Sequence, residues 1–174
     1  MSLLTSLVTD TCVDPWTYEE TYPWWYASTS SNPTTNSLHL AEAPRRNTSI
    51  TIGVVRVLIG ATSNGNLKVA VYTFDGTTWT LAGSSASTAV GAISTIQAVS
   101  LQSTIVVPAG VRRFYGFVTD GTATVQRMAG PSAAIGLLSP DTMVKVNSFT
   151  LPSTFVIGDV TSTNIMPWMR GSAT

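Results

Sequence analysis

The chain has 174 residues, of which only 10% are charged, and nine basic residues balance nine acidic ones. Serine and threonine together account for 47 residues, so hydroxyl groups supply most of the polarity. This composition argues against nucleic-acid binding, which needs a basic stripe, and no apolar run is long enough for a membrane-spanning helix. The single cysteine, Cys12, excludes an intrachain disulfide.

Aromatic residues concentrate near the start of the chain, where Pro15 and Pro23 break any helix. We interpret residues 1–37 as an irregular aromatic-rich arm with a polar connector, and residues 38–174 as a β-sandwich domain. The arm is predicted to contact a neighbouring subunit, because Trp and Tyr are enriched in interfaces. Two alternatives stay open: the rings cap the domain's own core, or they stack on sugar rings. The aromatic residues of the arm are Trp16, Tyr18, Tyr22, Trp24, Trp25 and Tyr26.

Strand patterns begin at Ser49. The run SITIGVVRVLIG (49–60) alternates, and its slip next to Gly53 predicts a β-bulge. In NLKVAVYTF (66–74) apolar residues recur at every second position, which indicates a half-buried strand. Asp75-Gly76 then predicts a type I′ hairpin turn, and the return strand begins with Thr78-Trp79-Thr80.

The second half of the chain has the same pattern of strands separated by turns. Residues 82–95 are small and polar and predict a loop or a loose edge. Further strands are predicted over 96–101, 105–107 and 113–119, and Asp120-Gly121 predicts a second hairpin, returning over 122–128. Many short strands with turn signals between them predict an all-β fold, an antiparallel two-sheet β-sandwich of jelly-roll type.

No catalytic motif is present. The one histidine, His39, lies in a short strand with its ring expected on the polar face, and no GxSxG elbow accompanies it. Most acidic residues lie in turns, where local hydrogen bonds explain Asp; Glu42, before Ala-Pro, is the least explained. The sequence therefore predicts no catalytic residue, no enzyme activity and no cofactor.

Charged residues suggest no metal or phosphate site either. A calcium site formed by Asp75, Asp120 and Asp159 would require three loops to converge, and no calcium-loop spacing is present. The basic pairs Arg45-Arg46 and Arg112-Arg113 each flank a strand. We interpret them as solvated charges that prevent the strand edges from pairing with other chains, or as partners for a neighbouring subunit's acidic groups.

Three stretches of the chain resemble the small β-sandwich domains of tailed-bacteriophage virion proteins. They are LKVAVYTFDGTTW (67–79), VSLQSTIVVPAG (99–110) and RFYGFV (113–118). Similar strands occur in minor tail proteins, in head-decoration proteins and in carbohydrate-binding sandwich modules. The opening MSLLTSLVTDT is also similar to the start of short minor tail proteins.

The resemblance implies a structural protein of the virion, assembled in the host cytoplasm. A minor tail or tail-fibre-tip protein is the first expectation, and a capsid decoration protein of the head is the second. The implied partners are copies of the chain in a homo-oligomer, with a trimer as one form, and other virion proteins. In the carbohydrate-binding alternative, Trp24, Trp25, Tyr26 or Trp79 would stack on sugar rings, and the two roles coexist if the virion protein binds a host-surface glycan. Candidate outer-loop residues for either role are Asp75, Trp79 and Asp120.

Overall fold

The computed structural model of the chain describes residues 18–20, 27–31, 33, 35–128, 142–145, 149–162 and 168–174. Within these ranges the regular structure is β-strand, apart from one short 3-10 helix at Ile157–Asp159. None of their helices is long and apolar enough to span a membrane. The strands, in chain order, are β1 (Tyr18–Glu20), β2 (Ala27–Ser31), β3 (Ser37–Glu42), β4 (Ile50–Leu58), β5 (Asn66–Phe74), β6 (Thr78–Ser84), β7 (Thr88–Ala89), β8 (Ile96–Val107), β9 (Arg112–Thr119), β10 (Val125–Met128), β11 (Thr142–Lys145), β12 (Thr154–Val156), β13 (Val160–Ser162) and β14 (Met169–Ser172).

The strands form two main antiparallel sheets. The smaller sheet has the order β1-β14-β4-β8, and the larger has the order β12-β6-β5-β9-β3-β11-β13, with β7 added beside β5. A third pair, β2 with β10, stands apart. The predicted all-β, antiparallel two-sheet fold is confirmed.

Strand pairs are nested along the chain. The outer pair β3–β9 lies in the larger sheet, the middle pair β4–β8 in the smaller, and the inner pair β5–β6 in the larger again. Nested antiparallel pairs that alternate between two sheets are the connectivity of a jelly roll.

Two apolar cores result from this arrangement. One lies between the sheets and is built mainly from β4, β5, β8 and β9. The other lies on the opposite face of the larger sheet. Alternation along β3 serves both, since Leu38 and Leu40 pack in the second core while Ala41 packs in the first.

The second core exists because the larger sheet curls. Its edge strands β12 and β13 are consecutive in the chain and are joined only by Ile157–Asp159. The sheet must therefore bend until its two edges approach one another. Phe155 of β12 points into the curl. Its ring packs edge-to-face with that of Tyr72, with the ring centroids 5.1 Å apart.

The first predicted hairpin is present, but its predicted turn type is wrong. β5 and β6 pair with Phe74 opposite Trp79, and three residues connect the strands. A type I′ turn needs positive φ at both central residues, whereas only Gly76 has it, at 112°. The Asp75 carboxylate instead accepts hydrogen bonds from the backbone N–H groups of Thr77 and Thr78, both at 2.8 Å.

The second predicted hairpin is wrong. After Asp120-Gly121 the chain does not return beside β9, because β5 and β3 already occupy both edges of that strand. It crosses over instead, and β10 pairs with β2. The Asp120 carboxylate fastens this corner to the start of β5, accepting from the Asn66 backbone N–H at 2.6 Å and from its side-chain amide at 3.0 Å.

Two local predictions have clear outcomes. The bulge is confirmed, because the register between β4 and β8 shifts between Ile52 and Val54. The stretch 82–95 is more ordered than predicted, since β6 continues to Ser84 and β7 pairs with β5.

Part of the predicted arm belongs to the sheet framework. β1 pairs with β14 and β2 pairs with β10, although both β1 and β2 lie within residues 1–37. These strands are thus integrated with the domain that follows them. The rest of the arm up to residue 26 lies outside the described residues.

Candidate functional site

The predicted aromatic surface of the arm lies almost wholly outside the described residues. Of its six members only Tyr18 is placed, by its backbone, in β1 opposite Ser172. Its role in assembly or in glycan stacking stays a prediction. The other members outside the described ranges are Trp16, Tyr22, Trp24, Trp25 and Tyr26.

Trp79 is a core residue and not an outer-loop residue, so that prediction is wrong. Its side chain is only 4% exposed. It stacks on Phe74 with ring centroids 4.1 Å apart and on Phe155 at 5.2 Å. The curl of the larger sheet encloses the ring, which leaves no free face for a sugar.

Asp75 and Asp120 are exposed, as predicted, but they do not share a site. Asp75 follows the end of β5, whereas Asp120 is bonded to Asn66 at its start. Nine residues of strand place them about 30 Å apart. Hydrogen bonds lower both carboxyl pKa values: from the backbone N–H groups of Thr77 and Thr78 at Asp75, and from the side chain and backbone of Asn66 at Asp120.

An open groove of about 530 Å³ lies at the Asp75 end of the sandwich. Two glycine turns form part of its wall, at Gly76 and Gly110, both with positive φ. Arg45 and Arg112 also line it. Two arginines and one aspartate are therefore among the residues that line the groove.

Arg112 is already paired within its own chain. It donates to Glu42 through Nε at 2.8 Å and through Nη2 at 2.7 Å, and these bonds raise the pKa of the guanidinium. Its guanidinium also lies 4.9 Å from the ring centroid of Phe74. Arg112 therefore fits neither predicted role, that of a solvated charge protecting a strand edge or that of a partner for another subunit's acidic group. The ion pair also accounts for the presence of an acidic residue at Glu42.

Replacing Glu42 with glutamine should reduce the free energy of unfolding by about 1–3 kcal/mol, because two charge-assisted hydrogen bonds are weakened or lost. Urea denaturation measures the change. The matched control is Arg45→Gln in the same groove, where we expect a change within about 0.5 kcal/mol. Equal effects of the two substitutions would contradict a stabilising role for the Glu42–Arg112 pair.

The predicted position of the His39 ring on a polar face is wrong. The residue is fully buried, and neither ring nitrogen has a hydrogen-bond partner. Alternation along β3 turns it to the same side as Ala41, toward the core between the sheets. Burial lowers its pKa from 6.5 to about 4.

No cluster of three or more His, Cys, Asp and Glu side chains suited to a metal ion occurs in the described parts of the chain. Asp75, Asp120 and Asp159, all described, therefore do not converge. The Asp159 carboxylate instead accepts a hydrogen bond from the backbone N–H of Val156 at 3.0 Å.

A long stretch of the chain has no charged side chain. The stretch from Gly76 to Val111 contains no Asp, Glu, Lys, Arg or His. It includes β6, β7 and the whole of β8, which at twelve residues is the longest strand described. β8 is also the last strand of the smaller sheet, where a strand of this length usually carries charges that prevent pairing with other chains. An isolated β-bridge joins its middle residue, Leu101, to Ser85.

No protein-family model matches this chain, and no curated protein matches its sequence. The fold defines the chain as an all-β, two-sheet antiparallel protein.

Proposed function

We propose that this chain is a structural, non-enzymatic protein of a bacteriophage virion that assembles with copies of itself and with other virion proteins. A minor tail or tail-fibre-tip position is the preferred one. The resemblance of residues 67–79, 99–110 and 113–118 to virion β-sandwich domains supports the particle class.

The observation that carries the proposal is the absence of charged residues from the stretch Gly76 to Val111, which includes the exposed side chains of β6 and β8. A surface without charges favours association, because no ionic group must be desolvated or paired when it is covered. Ile93, Ile96 and Val106 are at least half exposed on this stretch. Coverage by neighbouring subunits would remove these side chains from water.

A head-decoration protein is the alternative position in the same particle, and the copy number distinguishes the two. Quantitative mass spectrometry of purified particles should detect the chain at few copies per particle for a tail tip and at many copies for a head decoration. Its absence from purified particles would contradict the proposed function. A monomeric chain that binds glycans would favour the carbohydrate-binding alternative.

A further inference from the structure

Three dipeptides of this chain have the sequence that favours succinimide formation. In this reaction the backbone nitrogen of a glycine attacks the side-chain carbonyl carbon of the Asn or Asp before it, and a five-membered ring closes. Glycine favours the reaction because it has no Cβ to hinder the approach, and the reacting groups are already adjacent within one chain. The dipeptides are Asn64-Gly65, Asp75-Gly76 and Asp120-Gly121.

The structure disfavours this reaction at the two aspartates. The hydrogen bonds described above lower the pKa values of Asp75 and Asp120, so both carboxyl groups are ionised near neutral pH. An ionised carboxylate resists attack by a nucleophile, because it already carries negative charge. At the second of these sites the attacking group is also engaged, since the Gly121 N–H donates to the Thr119 hydroxyl at 3.2 Å.

Asn64 has neither form of protection. Its side chain is an uncharged amide and is exposed, as is Gly65. Among the described residues, no hydrogen bond involves the Asn64 side chain or the Gly65 N–H. The electrophile and the nucleophile are therefore both available. Asn66 is a contrast, because its side-chain amide donates to Asp120 at 3.0 Å and Leu67 follows it in the chain.

The loop around Asn64 packs against two other parts of the fold. The Gly65 carbonyl accepts from the Val90 N–H at 3.0 Å, and the Ser63 hydroxyl donates to the Val90 carbonyl at 3.3 Å. On the other side, a Cβ placed on Gly65 would lie 2.7 Å from a carboxylate oxygen of Asp120. The backbone at this position therefore has no room for an added carbon atom.

We propose that Asn64 is a site of spontaneous deamidation and isoaspartate formation in the folded protein. The Gly65 nitrogen loses its proton to solvent and bonds to the Asn64 Cγ, while the Cγ–Nδ2 bond breaks and the side-chain nitrogen leaves as ammonia after taking a proton from solvent. Water then adds to one of the two carbonyl carbons of the ring. Opening at one carbonyl gives aspartate, and opening at the other gives isoaspartate, in which the main chain runs through the side-chain carbon. The reaction consumes only water, and it does not depend on the proposed function.

Isoaspartate at position 64 should loosen the corner where the end of β9 is fastened to the start of β5. It adds one methylene to the backbone beside Asp120, and it adds a negative charge to a loop that already touches the Asp120 carboxylate. The hydrogen bonds from Asn66 to Asp120 would then lengthen or break. We therefore expect the modified chain to unfold at a lower urea concentration than the unmodified chain.

The test ages the full, folded chain in a mildly alkaline buffer and then locates isoaspartate in its tryptic peptides with an isoaspartyl methyltransferase. Cleavage after Lys and Arg places the three dipeptides in separate peptides, residues 57–68, 69–112 and 114–127. Only the first should accept the methyl group and show the mass gain of an amide converted to an acid. Fragmentation should assign both changes to residue 64 and not to Asn66. The rate should rise with pH, because the attacking nitrogen must first lose its proton, and an unaged sample digested in parallel corrects for reaction during digestion.

Asn64→Gln is the matched control, because it keeps an amide in the exposed loop but can close only a six-membered ring. Its deamidation rate should be at least about tenfold lower, and its urea midpoint should not change on ageing, whereas that of the original chain should fall. An aged chain in which Asn64 is intact would overturn the proposal. Equal methylation of the three peptides would show that the fold selects no site, and an unchanged midpoint after conversion would contradict the loosened corner. None of these outcomes alters the proposed function, which concerns assembly.

Discussion

Replacing Trp79 with alanine is expected to reduce the free energy of unfolding by about 3–5 kcal/mol, the usual cost of deleting a large buried ring. The indole is 4% exposed and lies between Phe74 and Phe155. Its loss would open a cavity inside the curl of the larger sheet and remove ring contacts that contribute beyond their area. Equilibrium unfolding in guanidinium chloride, monitored by far-UV circular dichroism, measures the change.

Ile157→Ala is the control for this substitution. The side chain is apolar and 53% exposed, and it follows β12 directly. Its removal should change the free energy of unfolding by no more than about 0.5 kcal/mol. If Trp79→Ala were as mild as Ile157→Ala, the buried position of the indole would be wrong and a sugar-stacking role would regain support.

Acidification from about pH 6.5 to pH 4 is expected to destabilise the fold through His39. Burial lowers the pKa of this histidine from 6.5 to about 4 in the folded protein. As the pH falls, the unfolded chain therefore binds the proton before the folded protein does. The free energy of unfolding is unaffected by His39 above pH 6.5, where the imidazole is neutral in both states, and it decreases as the pH falls toward 4. A difference of this size corresponds to about 3 kcal/mol.

His39→Leu should abolish this pH dependence, because the substitution removes the titrating group and keeps an apolar side chain of similar size. The cross-strand neighbours of His39 are Phe117 and Met143, neither of which titrates. Asp75 and Asp120 have lowered pKa values, so their contributions are lost only at more acidic pH. An unchanged slope between pH 4 and pH 6.5 in the variant would show that another group is responsible.

Much of the fold could be predicted from the sequence because strand alternation is a local property. The apolar residues of β5 recur at every second position, and the bulge in β4 is marked by Gly53. Asp75-Gly76 marked a true chain reversal. The turn itself differs from type I′, because the Asp75 side chain accepts the backbone hydrogen bonds that stabilise it.

The failures come from tertiary context. Asp120-Gly121 has the same turn signal, but both edges of β9 are occupied, so the chain must leave the sheet. Trp79 was predicted in an outer loop because nothing in a single sequence shows that β12 curls over it. His39 is buried because both faces of β3 are covered. Leu38 and Leu40 pack in the core on the opposite face of the larger sheet, and His39 lies on the side of Ala41, toward the core between the sheets.

The candidate interaction surface, too, could be predicted from the sequence only in part. The absence of charge from Gly76 to Val111 can be read from the sequence. The sequence does not show that β8 ends the smaller sheet or that its exposed side chains form one row. Equally, the ion pair of Arg112 with Glu42 joins residues that are 70 positions apart, so no local pattern indicates it.

Light scattering of the full chain during size-exclusion chromatography tests self-assembly most directly. The mass should be at least twice the 18.4 kDa of one chain. It should also persist when sodium chloride is raised from about 0.1 M to about 1 M, since screening weakens contacts between charges and not those between uncharged surfaces. A mass of 18.4 kDa at every protein concentration, or an oligomer that dissociates in salt, would contradict assembly through an uncharged surface.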